Sequence, residues 1–282
     1  MQFHRYHALG NDYLVIDPAD HPAPLTAAQI ERLCHRHFGI GADGILWGPL
    51  PGRDGAPFAL RIWNPDGSEA EKSGNGLRIF CRYLFDTGRV VLEAPFRVHT
   101  PGGVVDATVH AGGGEVTVVM GRVSFLSCDI PVTGPRREVL DEPLEVGGRT
   151  LRVSAATLGN PHCVVDWPEA GEAEARQFGP LIETDARFPQ RTNVQFLRVI
   201  DRTRIAIQIW ERGAGYTLAS GSSACAAAAV AHRLGRVDER LRVLTPGGAL
   251  FVAIGENWTV TLRGPVTRVA SGVIDPEMFR IG

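Results

Sequence analysis

The sequence predicts an α+β fold built from two related halves, each combining hairpin-connected strands with a helix that begins in small residues. Two observations predict it. Strand, glycine-turn and helix patterns recur in similar order in both parts of the chain. In each part a Ser-Gly pair, Ser73-Gly74 or Ser220-Gly221, separates an apolar strand pattern from an apolar helix pattern. Because helix N-termini expose unpaired N–H groups and the positive end of the helix dipole, both junctions are candidate anion sites.

The composition limits the class of protein. A chain of 282 residues has room for two domains. Its 29 basic and 31 acidic residues give no electrostatic attraction to nucleic acid or to a membrane surface. No apolar run reaches eighteen residues, and the first residues form a strand pattern without the regions of a signal peptide. We therefore expect a cytoplasmic enzyme or binding protein with a small-molecule ligand.

The cysteines form no C-x-x-C pair and are odd in number, which favours reduced thiols over a disulfide framework or a zinc site. They are Cys34, Cys81, Cys128, Cys163 and Cys225. The sequence shows no metal-ligand cluster, no flavin or dinucleotide fingerprint and no lysine context typical of pyridoxal enzymes. We therefore expect neither a cofactor nor a metal. Lys72, the only lysine, lies beside Ser73.

The elements of the first half follow from local patterns. A strand, a polar turn at Gly10-Asn11-Asp12 and a second strand are predicted within 3–17, and Thr26 is the expected cap of a helix that ends near Arg36. Gly39–Gly44 is a glycine-rich turn, followed by a strand at 45–47 and another at 58–63. The first Ser-Gly helix comes next. Alternation from Arg89 to Val123 then predicts antiparallel hairpins.

The second half repeats this pattern after a turn-rich crossing segment at 124–141. The predicted elements are strands at 150–156 and 163–166, a helix at 169–177, strands at 194–199 and 205–210, the alanine-rich helix that ends at 234, and hairpins at 241–262. The expected domains are therefore 1–123, joined by a C-terminal strand at 268–282, and 124–267.

Several polar residues occupy turns or strand ends where they could contact a ligand. Four asparagines do so: Asn11, Asn64, Asn160 and Asn193. An amide both donates and accepts hydrogen bonds, which suits a zwitterionic amino acid, although each asparagine could instead cap its own turn. His162, at a strand entrance, is either a structural donor or a catalyst. Glu211-Arg212 ends a strand upstream of the second Ser-Gly junction and is either a solvated pair or part of a site.

Taken together, these motifs resemble diaminopimelate epimerase, a family of cofactor-independent amino-acid racemases. The matching segments, in order, are His7–Asp12, Gly41–Gly44, Asn64–Glu71, Gly74–Gly76, Gly159–His162, Thr192–Val194 and Glu211–Gly215. The resemblance implies two mirrored α+β domains, each a mostly antiparallel sheet wrapped around a central helix, with the substrate in the cleft between them. It also implies a homodimer that converts LL- to meso-diaminopimelate for lysine and peptidoglycan synthesis.

The resemblance also implies roles for individual residues. Gly74, Asn75, Gly221 and Ser222 would form a backbone cradle for the α-carboxylate, which agrees with the anion sites proposed above. Asn64, Glu211 and Arg212 would hold the α-amino end. The distal end of the substrate would be bound by Asn11, Asn160, Asn193 and Arg212. His162 and Glu211 would flank the reacting carbon.

The sequence departs from the family pattern at the proton-transfer positions. The family has a cysteine before each helix start, and one thiolate removes the α-proton while the opposite thiol returns one. Here the two positions are Ser73 and Ser220, and Tyr216 replaces a glutamate that is common after the Gly-x-Gly turn. Thiols at such sites have pKa values of ~3.5–7.5. An alkanol is roughly five pKa units harder to ionise than an ordinary thiol, about 7 kcal/mol.

Three interpretations of the serines remain open. The chain is an epimerase in which Ser73 and Ser220 are activated by neighbours such as His162, Glu211 or Lys72. Alternatively, it catalyses another proton shift on an amino-acid-like substrate, with Glu211 or His162 as the base. Thirdly, it binds an amino acid without turnover, as an impaired homologue or as a variant in which both cysteines have been replaced by serine.

Overall fold

The chain divides into two units, each with its own hydrophobic core. This is a computed structural model, and it describes residues 1–21 and 23–280. The first unit is Met1–Val118 together with the stretch that begins at Gly264, and the second is Val119–Arg263.

The first unit contains most of the strands of the N-terminal half and two helices. In chain order its elements are β1 Gln2–Ala8, β2 Asn11–Ile16, α1 Ala27–Cys34, β3 Ile45–Arg53, β4 Ala56–Trp63, β5 Glu69–Ala70, α2 Gly74–Asp86, β6 Phe96–Thr100, β7 Gly103–Val109 and β8 Glu115–Arg122. The boundary between the units falls within β8.

The second unit contains a comparable set of elements. They are β9 Glu142–Val146, β10 Arg149–Thr157, β11 Pro161–Asp166, α3 Glu172–Glu183, β12 Asn193–Asp201, β13 Arg204–Glu211, β14 Gly215–Thr217, α4 Gly221–Arg233, β15 Arg240–Thr245, β16 Gly248–Ile254 and β17 Thr259–Pro265. The strand β18 Thr267–Val273 then returns to the first unit. Short 3-10 turns lie at Ala111–Gly113, Glu256–Trp258 and Pro276–Phe279.

The two units have the same strand pairing. In the first, β1 is antiparallel to β2, β2 is parallel to β3, β3 is antiparallel to β4, β4 is antiparallel to β5 and parallel to β6, and β6, β7 and β8 continue antiparallel. In the second, β10, β11, β12, β13, β14, β15, β16 and β17 repeat every one of these relations in the same order. This confirms an α+β fold made of two topologically equivalent halves.

Each unit is built around one helix. α2 packs against β1, β2, β3 and β7, and α4 packs against β10, β11, β12, β13, β15 and β16. Ten of the thirteen residues are buried in each of them. A helix buried nearly all round is central to its domain rather than laid on its surface. In α4 this burial is possible because alanines and small polar residues occupy most positions, so the strands can approach closely.

Several local predictions agree with the structure. Thr26 caps α1 with a capping box, and Ile30, Leu33 and Cys34 form its buried face. Cys81 and Cys225 are fully buried within α2 and α4, and all five cysteines are free thiols, as the sequence predicts. No helix in the described part of the chain is long and apolar enough to span a membrane.

Other predictions were wrong in detail. The first turn is Leu9-Gly10, both with positive φ, so Asn11 and Asp12 belong to β2. The segment 90–95 is not a strand: it forms a turn that exposes Val91 and Leu92 and bonds β7 through the Glu93 N–H and the Val109 carbonyl. α3 spans Glu172–Glu183 rather than 169–177, with Pro180 inside it, and the strands β5, β9 and β14 were not anticipated. Short strands are set by tertiary pairing, which a local pattern does not contain.

Candidate active site

The two serines at the Ser-Gly junctions occupy nearly identical positions. Ser73 is the N-cap of α2, with φ −138° and ψ 119°, and Ser220 is the N-cap of α4, with φ −140° and ψ 123°. Ser73 Oγ accepts a hydrogen bond from the Gly76 N–H at 3.0 Å, and Ser220 Oγ accepts one from the Ser223 N–H at 3.5 Å. Each unit therefore places a serine hydroxyl that caps the N-terminus of its central helix, where the helix dipole favours negative charge.

In the first unit the backbone at the start of α2 is held by a buried arginine. Arg78, with no exposed surface, donates from Nη1 to the Gly74 carbonyl at 3.2 Å and from Nη2 to Asn75 Oδ1 at 2.9 Å. Asn75 Nδ2 donates to Asn11 Oδ1, and Asn11 Nδ2 donates to Asp43 Oδ2, both at 2.9 Å. The two predicted ligand-binding amides, Asn11 and Asn75, are thus in direct contact and are oriented by charged groups at either end.

An ion-pair network supports this chain of amides. Arg36 donates to Asp12 at 2.8 Å and to Asp43 at 2.6 Å, and Arg5 also pairs with Asp12. Burial opposes ionisation of Asp12, but the hydrogen bonds from Arg36 and Arg5 outweigh it and lower its pKa below the ordinary value. Asp12 therefore stays a carboxylate at neutral pH.

Asn64 serves its own turn. Its backbone N–H donates to the Ser68 carbonyl at 2.8 Å, and its Nδ2 donates to Ser68 Oγ at 3.0 Å. The side chain is half-buried. The turn-capping interpretation of Asn64 therefore accounts for its amide nitrogen, and a role at the substrate amino group would fall to its carbonyl oxygen.

In the second unit His162 is fully buried at the start of β11. Burial lowers the pKa of its imidazole to about 3, a neighbouring Gln195 amide raises it slightly, and the Arg212 charge lowers it further. Its Nε2 lies 3.1 Å from Asn160 Oδ1. An imidazole with so low a pKa is a weak base, and because it stays neutral it cannot act as an imidazolium acid. The low pKa that burial gives this imidazole argues against His162 as the principal base and favours a structural or polar role.

The helix start of the second unit is supported by buried hydrogen bonds of its own. Gln195 Nε2 donates to Ser223 Oγ at 3.0 Å, and both residues are fully buried. Ser220 is 4% exposed, and its Oγ lies 3.5 Å from Ser222 Oγ. The start of the alanine-rich helix thus carries three hydroxyls within four residues, and one of them, on Ser223, is hydrogen-bonded to Gln195 of the sheet.

Asn193 and Arg212 are joined through the backbone. Asn193 Nδ2 donates to the Pro161 carbonyl at 2.9 Å, and its Oδ1 accepts the Arg212 N–H at 3.0 Å. The Asn193 side chain therefore positions the start of β11 and the turn after β13, and has less capacity left for a ligand than we expected. Arg212 itself is exposed, with Nη1 donating to the Gln190 carbonyl at 3.0 Å.

A buried carboxylate organises the turn that carries Glu211. Glu183, 3% exposed, accepts from Trp210 Nε1 at 2.7 Å and from the Gly213 N–H at 2.9 Å, and pairs with Arg191. Glu211, at the end of β13, is half-buried. Tyr216, at the position where glutamate was expected, donates to Gln208 Oε1 at 2.7 Å. Its hydroxyl therefore bonds Gln208 of the neighbouring strand β13 rather than the turn that follows Glu211.

Strand register aligns the two units residue by residue. The paired positions are Leu14, Ile45 and Trp63 in the first unit and Cys163, Val194 and Trp210 in the second. One residue before Leu14 and Cys163 stand Tyr13 and His162. One residue after the two tryptophans stand Asn64 and Glu211, each nine residues before its serine. The repeat thus gives equivalent places to three pairs of side chains: Tyr13 and His162, Asn64 and Glu211, Ser73 and Ser220.

No remaining cysteine replaces a thiol at either helix start. Burial raises the pKa of Cys81 and Cys163, and it raises that of Cys34 to about 12, while Cys128 is exposed. Over residues 1–21 and 23–280, no three His, Cys, Asp or Glu side chains are grouped as metal ligands.

The sequence prediction missed five residues that shape the two helix starts or the turn after β13: Tyr13, Asp43, Arg78, Glu183 and Gln195. A charged or polar residue at an apolar position was the available signal for three of them. Arg78 follows Leu77 in α2, Glu183 follows Ile182 in α3, and Gln195 lies between Val194 and Phe196 in β12. Tyr13 gave no such signal, since a tyrosine is ordinary in a strand.

Comparison with known proteins identifies the family. The family model described as diaminopimelate epimerase matches residues 3–126 and 154–269. The "Diaminopimelate epimerase 2" of Nostoc sp. strain PCC 7120 is 54% identical over 281 residues, covering 100% of this chain and 98% of that protein. The same organism's "Diaminopimelate epimerase 1" is 38% identical, over 96% of this chain and 99% of its own. The diaminopimelate epimerase of Synechococcus sp. strain JA-3-3Ab is 41% identical, over 96% and 97%.

Solved structures share the fold at low sequence identity. A probable proline racemase of Agrobacterium radiobacter superposes with a TM-score of 0.70 at 18% identity, covering 99% of this chain and 94% of that one. A hydroxyproline epimerase of Agrobacterium vitis also gives 0.70, at 19% identity, over 99% and 93%. The fold of these structures, the full-length identity to curated relatives and the two equivalent helix starts agree: the chain belongs to the diaminopimelate epimerase family.

Proposed function

We propose that this protein is an isomerase that interconverts LL- and meso-diaminopimelate without a cofactor, by exchanging the proton on the α-carbon. One observation carries the proposal for this chain's own residues. Two serines with matching backbone conformation cap the central helices of two topologically equivalent units. Inversion at a carbon requires a proton-transfer group for each face, and the repeat supplies an equivalent hydroxyl twice.

The helix starts suit the charge of the substrate. The N–H groups of Gly74 and Asn75 in one unit, and of Gly221 and Ser222 in the other, lie in the first turn of their helices, at the positive end of each helix dipole. They are proposed to bind the α-carboxylate, aided by the helix dipoles. Stabilising that carboxylate also stabilises the carbanion formed when the α-proton leaves, because the negative charge spreads onto the carboxylate oxygens.

The polar residues around the helix starts are proposed to fix the orientation of the substrate. Glu211 and the carbonyl oxygen of Asn64 would accept from the α-ammonium group. Arg212, Asn11 and Asn160 would bind the distal carboxylate and ammonium, and Asn193 would hold Arg212 in place through its backbone. His162 would lie beside the reacting carbon as a neutral hydrogen-bonding group.

Serine in place of cysteine sets the rate. The N–H donors that reach Ser73 Oγ and Ser220 Oγ would stabilise an alkoxide, but an alkanol remains far harder to ionise than a thiol. We therefore propose turnover that is slow relative to cysteine-bearing members of the family.

Isotope exchange tests the proposal directly. The protein is incubated with LL-diaminopimelate in heavy water, and the products are separated by stereoisomer and analysed by mass spectrometry. The proposal expects meso-diaminopimelate that carries one deuterium at the inverted α-carbon. Neither deuterium nor meso isomer above a protein-free control would overturn it.

Variants at the two serines give the matched controls. Ser73→Ala and Ser220→Ala should each abolish inversion, whereas Ser73→Cys with Ser220→Cys should raise the rate by at least tenfold. If both alanine variants retained wild-type exchange, proton transfer would have to be assigned to other groups.

A second candidate is an amino-acid-binding homologue without turnover, and the hydroxyls at both proton-transfer positions favour it. Calorimetry distinguishes the two functions. Tight binding of diaminopimelate isomers without deuterium incorporation would support a binding protein. A different proton shift with Glu211 as the base would show instead as activity on another substrate that survives Ser73→Ala and is lost in Glu211→Gln.

We also propose that the protein acts in the cytoplasm as a homodimer. Both the location and the dimer follow from resemblance to the family alone. Light scattering coupled to size exclusion measures the assembly, and a mass of 30.5 kDa, that of one chain, would contradict the dimer.

A further inference from the structure

Tyr13 meets Ser73 inside the first unit. It lies on β2, its side chain is 7% exposed, and its phenol oxygen is 3.4 Å from Ser73 Oγ. The ring occupies space that Gly44 leaves open, since a Cβ at residue 44 would come within 2.7 Å of Tyr13 Cε1. The contact is thus held by packing from β2 and from the turn before β3, and Ser73 Oγ accepts the Gly76 N–H at the same time.

The repeat gives this contact a counterpart. Tyr13 is the register equivalent of His162, so each unit places a ring with a proton-accepting or proton-donating atom at the same place in its sheet. In the second unit that ring is a neutral imidazole bonded to Asn160. In the first it is a phenol that contacts the serine oxygen itself. The two units are therefore equivalent in topology but not in acid–base chemistry.

We propose that Tyr13 is a positioning residue for proton transfer at Ser73, its phenolate oxygen taking the Ser73 hydroxyl proton as Ser73 Oγ takes the α-proton of the amino acid. This rests on the proposed function. The α-carbon–hydrogen bond breaks and a new Oγ–H bond forms, while the original Oγ–H bond breaks and a phenol O–H bond forms. The electron pair stays on the α-carbon, and the charge passes from phenolate to carbanion. The reverse transfers return both protons.

The relay lowers the penalty for using serine. In water, an ordinary thiol ionises at about pH 8.5 and an ordinary phenol at about pH 10, so near neutrality a free phenolate is about 30-fold rarer than a free thiolate. An isolated alkoxide is rarer than a thiolate by roughly a hundred thousand-fold. Placing the negative charge on the phenol and leaving the serine as a shuttle is therefore much the easier route to a base at this position.

Tyr13→Phe removes only the hydroxyl and tests the relay. The expected result is a fall in kcat for α-proton exchange of at least tenfold with KM nearly unchanged. Tyr6→Phe is the matched control, because Tyr6 is the register partner of Tyr13 and its buried hydroxyl bonds Asp86 instead. The control should keep wild-type kcat. Equal kcat in Tyr13→Phe and wild type would overturn the proposal.

A thiol background separates a relay from a structural effect. In Ser73→Cys the sulfur ionises without a relay, so adding Tyr13→Phe should reduce kcat less than threefold. The same tenfold fall in both backgrounds would assign Tyr13 a merely structural role and overturn the proposal.

One readout does not depend on turnover and so distinguishes this proposal from the proposed function. In a Cys128→Ser background, which removes the exposed thiol, the alkylation rate of Ser73→Cys by iodoacetamide is measured against pH with and without Tyr13→Phe. A phenol that donates to the thiolate sulfur should lower the pH midpoint of the alkylation profile. Loss of the hydroxyl should therefore slow alkylation at pH 7.5 by at least threefold. Identical profiles would overturn the contact even if the protein epimerises diaminopimelate.

Discussion

At the scale of single residues, burial decides what a titratable group can do. Burial lowers the pKa of His162 to about 3, so the imidazole remains neutral across the physiological range. The carbon-bound ring proton of His162 should therefore keep its neutral chemical shift from pH 8 to pH 5 in NMR of histidine-labelled protein, whereas an unperturbed imidazole titrates near pH 6.5. His162→Gln assigns the signal. A midpoint between pH 5.5 and pH 7.5 would show that the ring is available as a base.

The Gln195–Ser223 hydrogen bond gives a second residue-scale prediction. Ser223→Ala leaves Gln195 Nε2 buried without its acceptor, which should lower the free energy of unfolding by about 1–3 kcal/mol. The first unit shows that an apolar pair is tolerated here, because Leu46 lies against Gly76 at the positions equivalent to Gln195 and Ser223. Gln195→Leu combined with Ser223→Ala removes both partners and should recover much of the loss. Urea denaturation measures both variants, and an unchanged midpoint in Ser223→Ala would contradict the prediction.

At the scale of elements, the N-caps connect helix stability with chemistry. Ser73→Ala removes the acceptor for the Gly76 N–H and should destabilise the protein by ~1 kcal/mol. Ser73→Asn keeps a capping oxygen, so it should retain stability while losing the proposed proton transfer. Thermal unfolding and isotope exchange on the two variants separate the roles. Equal stability of Ser73→Ala and wild type would show that the cap contributes nothing to α2.

At the scale of the whole molecule, acid should unfold the protein partly through Asp12. Hydrogen bonds from Arg36 and Arg5 overcome burial and lower its folded pKa, so the unfolded state takes up a proton first as the pH falls. The stabilisation is therefore present above about pH 4 and is lost as the pH drops further through the folded pKa. Asp12→Asn should reduce stability at pH 7 and flatten the decline below pH 5.

The exposed Asp106 on β7 provides the control for that measurement. Asp106→Asn should leave the pH dependence of unfolding as in wild type. If Asp12→Asn and Asp106→Asn gave the same profile, the ion pairs of Asp12 would contribute no net stability.

Much of the fold could be predicted from sequence because it depends on neighbouring residues. Thr26, Ser73 and Ser220 mark helix starts through the chemistry of a cap followed by an apolar period, and glycine turns mark the hairpins. The three missed strands have no such local mark. They form because β4, β10 and β13 present backbone groups with which a short segment can pair, and these edges exist only once the sheets are assembled.

The amino-acid sequence by itself determined the two capped helix starts, the family and the replacement of two expected thiols by hydroxyls, because each of these depends on residues that are close together in the chain. Only the tertiary structure decided that the two units share one strand order and that Tyr13 meets Ser73 across 60 residues of sequence. It also decided that His162 is fully buried, which lowers the pKa of its imidazole. Pairing and burial arise from contacts between distant segments, and those contacts control which side chains can move a proton.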